Sequence, residues 1–364
     1  MVRLMPRPTR ALVDLGALYR NYERAAALAA PAGAIAVVKA NGYGHGLGAV
    51  AKRLQGVAPM FAVAMLEEAQ MLRAVVADTP ILLMQGIHDP ADWPLCGPLN
   101  AIAVVHSEEQ INSLTTAPLT ESTRIWVKIN TGMNRLGFLP DLVDAAIARL
   151  ESIPQAAVTG LMTHFACADD PQSAETAVQV DKVEQVRARY GHLSLSIANS
   201  AGHYTSHPRG SDWSRPGIML YGGAPLIDSR GCDLGLEPVM TLESQLIAVR
   251  TLAPGEAVGY GATWRAGANG GRMGIVAIGY ADGYPRHAPT GTPVAVNGKR
   301  AALLGRVSMD MLAVDLSDQP HAKVGDPVEL WGATISVDDV ARAAGSISYE
   351  LLTGVTARVP RIYR

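Results

Sequence analysis

The chain has 364 residues, 48% of them hydrophobic, with 31 basic against 33 acidic side chains and a formal net charge of −2. That length favours two domains over one, and the near-neutral balance with only 5% aromatic residues removes the electrostatic and stacking case for nucleic acid or anionic lipid as a partner. No apolar run is long enough to span a bilayer, Met1 to Pro8 lacks an apolar core of signal-peptide length, and Cys96, Cys167 and Cys232 show neither a disulfide framework nor metal-ligand spacing, so a cytoplasmic protein without a metal is expected.

Ala11 to Leu15 leads into a helix through about Leu28. Ala34 to Val38 is a run of small and β-branched apolar residues, the pattern of a strand buried on both faces. Lys39 stands at its carboxyl end, a glycine-dense loop follows, and Leu47 to Leu54 reads as a helix. Further buried strands are expected at 61–64, 81–84, 101–105, 124–129, 158–162 and 195–198, with helices at 67–73, 142–150 and 174–190 between some of them. The eighth strand comes from Asp212 to Arg215 or from Ile218 to Tyr221. The first is preferred, with Gly217-Ile218 opening a short helix. Eight strands alternating with helices predict a (β/α)8 TIM barrel over residues 8–234, with a doubly wound sheet as its competitor. After Leu236-Glu237-Pro238 helical periodicity mostly stops, and short strands separated by Pro254-Gly255, Asn269-Gly270-Gly271 and Asn297-Gly298 predict a β-rich domain over 235–364. Asn297-Gly298 between two apolar runs is a hairpin signal.

Lys39 is well placed for chemistry. Apolar surroundings disfavour an ammonium, and a neutral amine condenses with an aldehyde. On spacing alone, a surface lysine with its head in solvent accounts for it equally well. The longer stretch Val37-Val38-Lys39-Ala40-Asn41-Gly42-Tyr43-Gly44-His45-Gly46 resembles the pyridoxal-phosphate lysine motif of the alanine racemases, and further matches run to Tyr349.

That resemblance implies a site. Lys39 would hold pyridoxal 5'-phosphate as a Schiff base. Arg215, in Ser214-Arg215-Pro216-Gly217-Ile218, matches the residue facing the pyridine nitrogen. Arginine keeps its proton, so the ring nitrogen stays unprotonated and the electron sink is weaker. Asn199-Ser200, Gly217-Ile218, Tyr43 and Tyr349 match the phosphate cradle, where barrels commonly bind phosphate after strands seven and eight. Ser200 also reads as an ordinary helix cap. Lys128 to Gly137 resembles the segment whose Arg135 grips the substrate carboxylate, and in relatives the lysine matching Lys128 can be carbamylated and so orient that arginine.

Racemisation needs a base on each face of Cα. Tyr260, in Val258-Gly259-Tyr260-Gly261-Ala262-Thr263-Trp264, matches the second base, opposite Lys39. A phenol titrates near about pH 10, so it needs a supporting partner; His164 is the candidate, in a chain to Arg215. Each would otherwise read as a structural residue. Gly279 to Arg286 and Gly305 to Asp310 match segments whose tyrosine and methionine, here Tyr280 and Met309, reach the site from a second subunit together with Tyr260; Asp310 supports them. The resemblance therefore implies a homodimer that interconverts L- and D-alanine, supplying D-alanine for peptidoglycan or allowing alanine catabolism. A barrel-type pyridoxal decarboxylase would be expected to face the ring nitrogen with a carboxylate, which Arg215 argues against. A non-catalytic pyridoxal carrier would have no use for a domain bearing Tyr260 and Tyr280, and a cofactor-free aldolase would show no pyridoxal absorbance.

Overall fold

The computed structural model describes residues 7–205 and 211–364. Most of Met1 to Pro8, on which the expectation about the amino terminus rests, lies outside the described residues. No helix among them is long and apolar enough to cross a membrane. The chain divides into two compact units. One comprises Tyr19–Leu220 and Pro225–Asp228; the other gathers the chain up to Leu18, Tyr221–Ala224 and Ser229–Arg364.

The first unit is the expected barrel. Its parallel strands run in the order Gly33–Ala34, Trp213–Ser214, Ser194–Ser196, Ala156–Met162, Thr123–Lys128, Ala101–Val105, Ile81–Leu83, Phe61–Val63, Ala36–Val37. The first and last of these are halves of one chain segment, split at the buried Ile35, so the order begins and ends on the same strand and an eight-stranded ring closes. Ile35 N–H donates to Ser214 O on one side at 2.9 Å, and Ala36 N–H to Met60 O on the other at 3.0 Å. Phe61–Val63, Ile81–Leu83 and Ala101–Val105 are buried at every position, which is why they read as continuous apolar runs without alternation. Trp213–Ser214 supplies the eighth strand, and Ile218–Tyr221 forms a short 3-10 helix after it, as the preferred reading had it.

The second unit is β-rich. Its eight-stranded sheet is organised on Met240–Leu252, which pairs with Arg10–Val13, Pro327–Trp331 and Gly271–Val276 and slips register between Leu246 and Ala248. Arg10–Val13 also pairs in parallel with Arg361–Tyr363. The opening segment, expected only to lead into a helix, is thus a strand of this sheet, and the helix Leu15–Ala29 starts directly after it. Asn297 and Gly298, at φ 50° and 74°, turn the hairpin in which Val296 faces Lys299. Positive φ at both central residues is the type I′ geometry that matches strand twist.

Candidate active site

Lys39 sits where the first barrel strand leaves the ring. Beyond it the expected glycine loop is a left-handed helical turn: φ is 51° at Ala40, 55° at Asn41, 61° at Gly42, 50° at Tyr43 and 81° at Gly44. Residues with a side chain resist this conformation by about 1–2 kcal/mol each, so the turn needs external ties. Glu68 supplies one, its carboxylate accepting the Ala40 N–H at 2.6 Å; it also accepts the Ala64 N–H at 2.8 Å, at the end of the next barrel strand. Asn41 Oδ1 accepts the Leu47 N–H at 2.9 Å, which joins the turn to the next helix. The Lys39 head is half-buried. Burial lowers its pKa, the Arg135 charge lowers it further, and Glu68 opposes both.

Three more cations belong to the same unit. Lys128, 7% exposed, ends the Thr123–Lys128 strand. Burial first, then the charges of Arg215, Arg135 and Lys39, push its pKa down to about 8. Arg215, 4% exposed, is pushed by burial to about 10, so it stays protonated at neutral pH. It donates to Thr163 O at 2.6 Å, Ile197 O at 3.2 Å and His164 Nδ1 at 3.5 Å. Burial, with Arg215 and the three other cations behind it, pushes His164 down to about 3. The imidazole is therefore neutral, and with Nδ1 accepting from Arg215 its Nε2 carries the hydrogen. Arg135 is presented by a loop in which Asn130 Oδ1 accepts the N–H groups of Gly132 and Asn134 at 3.3 and 3.0 Å, and its exposed guanidinium has no ion-pair partner among the described residues.

The loops after strands seven and eight are tied together. Ser200 Oγ accepts the Gly217 N–H at 2.7 Å. Ser200 is therefore not the cap of its own short helix; Asn199 does that, its Oδ1 accepting the Gly202 N–H at 3.0 Å. A Cβ on Gly217 would collide with the Tyr43 hydroxyl. Tyr43 is buried, and burial raises its pKa, so the phenol keeps its proton as a donor beside the Ile218–Tyr221 helix start.

The β-rich unit carries the remaining expected residues. Tyr260 is 67% exposed on a short 3-10 turn, and Val258, two residues before it, belongs to a buried cluster with Leu252, Ala266, Met273, Leu304 and Ala313. Tyr280 and Met309 are also exposed, and their loops are zipped by Tyr280 N–H to Ser308 O at 3.1 Å and Ala281 N–H to Met309 O at 3.0 Å. A Cβ on Gly261 would stand 3.1 Å from Arg306 Nη1, so the Tyr260 turn borders the same platform. Asp310 accepts from Arg358 at 2.7 Å, and Tyr349 lies on the helix Ser348–Gly354.

Two residues of the barrel unit's site escaped the sequence reading. Glu68 was seen only as part of a helix. Gln179 sits on the buried face of Glu175–Arg187 and links two strand-end loops: its Nε2 donates to Thr131 Oγ1 and His164 O at 3.0 Å, and its Oε1 accepts the Ala166 N–H at 2.8 Å. A glutamine on the inner face of an otherwise ordinary helix was the available signal.

A half-buried lysine with a lowered pKa at the carboxyl end of a barrel strand, grouped with Lys128, Arg135 and Arg215, with a separate β-rich unit in the same chain, is the arrangement of a two-domain barrel enzyme. Residues 13–225 match the family model for the alanine racemase N-terminal domain and residues 239–363 that for the alanine racemase C-terminal domain. The alanine racemase of Marinobacter nauticus is 52% identical over 361 residues, covering 99% of this chain and all of that one. The crystal structure of the biosynthetic alanine racemase from Pseudomonas aeruginosa superposes with a TM-score of 0.95 at 50% identity, covering 98% of this chain and 99% of that one. The alanine racemase from Bartonella henselae, solved with covalently bound pyridoxal phosphate, superposes with a TM-score of 0.87 at 29% identity, covering 99% of this chain and 100% of that one. The chain belongs to the alanine racemase family.

Proposed function

We propose that this protein interconverts L- and D-alanine with pyridoxal 5'-phosphate held on Lys39, as a homodimer in which Tyr260, Tyr280 and Met309 of one chain complete the site of the other. The residues fit the cofactor. Lys39 has the lowered pKa a condensing amine needs, the Gly217–Tyr43 approach leaves room where any larger residue would intrude, and Arg135 and Lys128, with Arg215 acting on Lys128, place positive charge near Lys39 suited to a phosphate and a carboxylate. When bound, the cofactor acidifies the α-proton of an attached amino acid.

The chain's own groups do the rest. Tyr43, Asn199, Ser200, Gly217, Ile218 and Tyr349 hold the phosphate. Arg135 grips the substrate carboxylate with the backbone of Met309, and Tyr280 narrows the space to a small side chain. Lys39 moves the proton on one face, acting on D-alanine, and Tyr260 on the other, acting on L-alanine. The Nε2–H of neutral His164, held by Arg215, steadies the Tyr260 oxygen when it is deprotonated. Lys128, once its amine is neutral, adds carbon dioxide and gives up a proton to solvent, forming a carbamate that orients Arg135. The three free cysteines suit a reducing cytoplasm.

The observation that carries racemisation over decarboxylation is Arg215, a buried guanidinium that stays charged where a decarboxylase would place a carboxylate. The test is chiral analysis of L-alanine incubated with the protein in deuterated water, beside its visible spectrum before and after borohydride. α-Deuterated D-alanine and a reducible band, both lost in Lys39→Ala, are expected. A reducible band without inversion would reject racemisation.

A further inference from the structure

The platform that bears Tyr280 and Met309 is pinned by a residue far from it in sequence. Asp282 is fully buried, and Arg7 grips it with both arms of its guanidinium: Nη1 to Oδ1 at 2.7 Å and Nη2 to Oδ2 at 3.1 Å. The same Arg7 Nη2 lies within hydrogen-bond range of Ala277 O at 2.8 Å and Asp310 O at 2.9 Å. Arg7 therefore touches both loops at once, one residue after Met309 and two after Tyr280. Asp282 in turn accepts the Gly279 N–H at 3.0 Å, and a Cβ on Gly279 would collide with the Ser308 and Met309 carbonyls. Arg358 closes the network, 3.5 Å from Asp282 and 2.7 Å from Asp310. Arg7 precedes the strand Arg10–Val13 and belongs to no element, so its ties serve these loops and not a sheet ladder.

We propose that Arg7 is a positioning residue of the platform, which fixes the Tyr280 and Met309 loops through Asp282 and so acts on the active site of the partner subunit. This rests on the shared-site reading above. A planar fork matches a carboxylate in a way that an ammonium does not, so Arg7→Lys recovers only part of what Arg7→Gln loses. In Arg7→Gln the platform slackens, kcat falls about 10- to 100-fold as expected for a displacement of about 1 Å, and KM for alanine rises because the Met309 backbone shifts.

Mixed dimers test it. In a dimer of Arg7→Gln with Lys39→Ala, the site built from the intact Lys39 and the intact Arg7 platform should recover wild-type turnover and KM. A dimer of Tyr260→Phe with Lys39→Ala is the control and should recover likewise. Wild-type kcat and KM in the Arg7→Gln homodimer, with only a lower melting temperature, would reduce Arg7 to a structural tie and overturn the proposal. Failure of the Arg7 mixed dimer while the Tyr260 control recovers would also overturn it, leaving the shared site standing. Failure of both would bring down the shared-site reading and this proposal with it.

Discussion

The two halves of the proposed site are built on opposite principles. In the barrel unit the functional groups, apart from the exposed Arg135, are buried or half-buried, and their positions are held by neighbours, Glu68 on the Lys39 turn, Gln179 on the His164 loop and Ser200 on Gly217. Burial shifts their pKa values, and that shift is what makes Lys39 and Lys128 usable as amines. On the platform the groups are exposed: Tyr260 by 67%, Met309 by 53% and Tyr280 by 38%. What is fixed there is the backbone beneath them, through the loop zipper and Asp282. Large apolar side chains left exposed suit a surface that a second copy covers.

The contrast can be broken in order of expected effect. Tyr260→Phe removes one hydroxyl from the exposed half. Racemisation should fall about 10²- to 10⁴-fold, while the visible cofactor band stays and Lys39 still exchanges the α-hydrogen of D-alanine with deuterated water; loss of the band would mean that Tyr260 belongs to the holding side. Gly217→Ala disturbs the buried half, since its Cβ meets the Tyr43 hydroxyl. Cofactor affinity should fall roughly tenfold for each ~1.4 kcal/mol of displaced contact, with turnover recovering when pyridoxal phosphate is added in excess. Unchanged affinity would remove the loops after strands seven and eight from the cradle.

The smallest effect concerns Lys128. Its folded pKa lies near 8, below the 10.5 of a free lysine. Between those values the unfolded chain binds more protons than the folded one, so this group makes stability rise as pH increases from about 8 to about 10.5 and leaves no slope below that window. Urea unfolding of the cofactor-free protein across this window should show that slope, and Lys128→Met should abolish it. Bicarbonate should carry the slope below pH 8 as well, since a carbamate in the folded chain binds no proton where the unfolded lysine still binds one. A slope that survives in Lys128→Met would place its source in another group.

Much of this was readable in the chain. The barrel strands announced themselves because a strand buried on both faces must be continuously apolar, and Asn297-Gly298 announced a hairpin because only such pairs take two positive φ angles cheaply. Lys39, Tyr43, Ser200, Arg215 and Gly217 were named from a motif, and the structure puts them at the carboxyl ends of the first, seventh and eighth strands. The left-handed turn was only partly readable: Asn41, Gly42 and Gly44 tolerate positive φ, but Ala40 and Tyr43 do not ask for it, and the Glu68 carboxylate that holds the Ala40 N–H lies more than twenty residues away. Nor was the role of Gln179, whose partners lie on loops after other strands.

By itself, then, the sequence determined local structure and residue chemistry: which runs are apolar, where the chain turns, which side chains can condense, grip an anion or move a proton. Only the tertiary structure decided that Arg10–Val13 joins the β-rich sheet, that Ser200 reaches Gly217 instead of capping its own helix, and that Arg7 and Asp282 meet across 275 residues. Apolar patterning and turn chemistry act between near neighbours and leave their mark in order along the chain. Hydrogen bonds and charge pairs between distant segments depend on where the packed strands bring them, and a linear pattern holds no record of that.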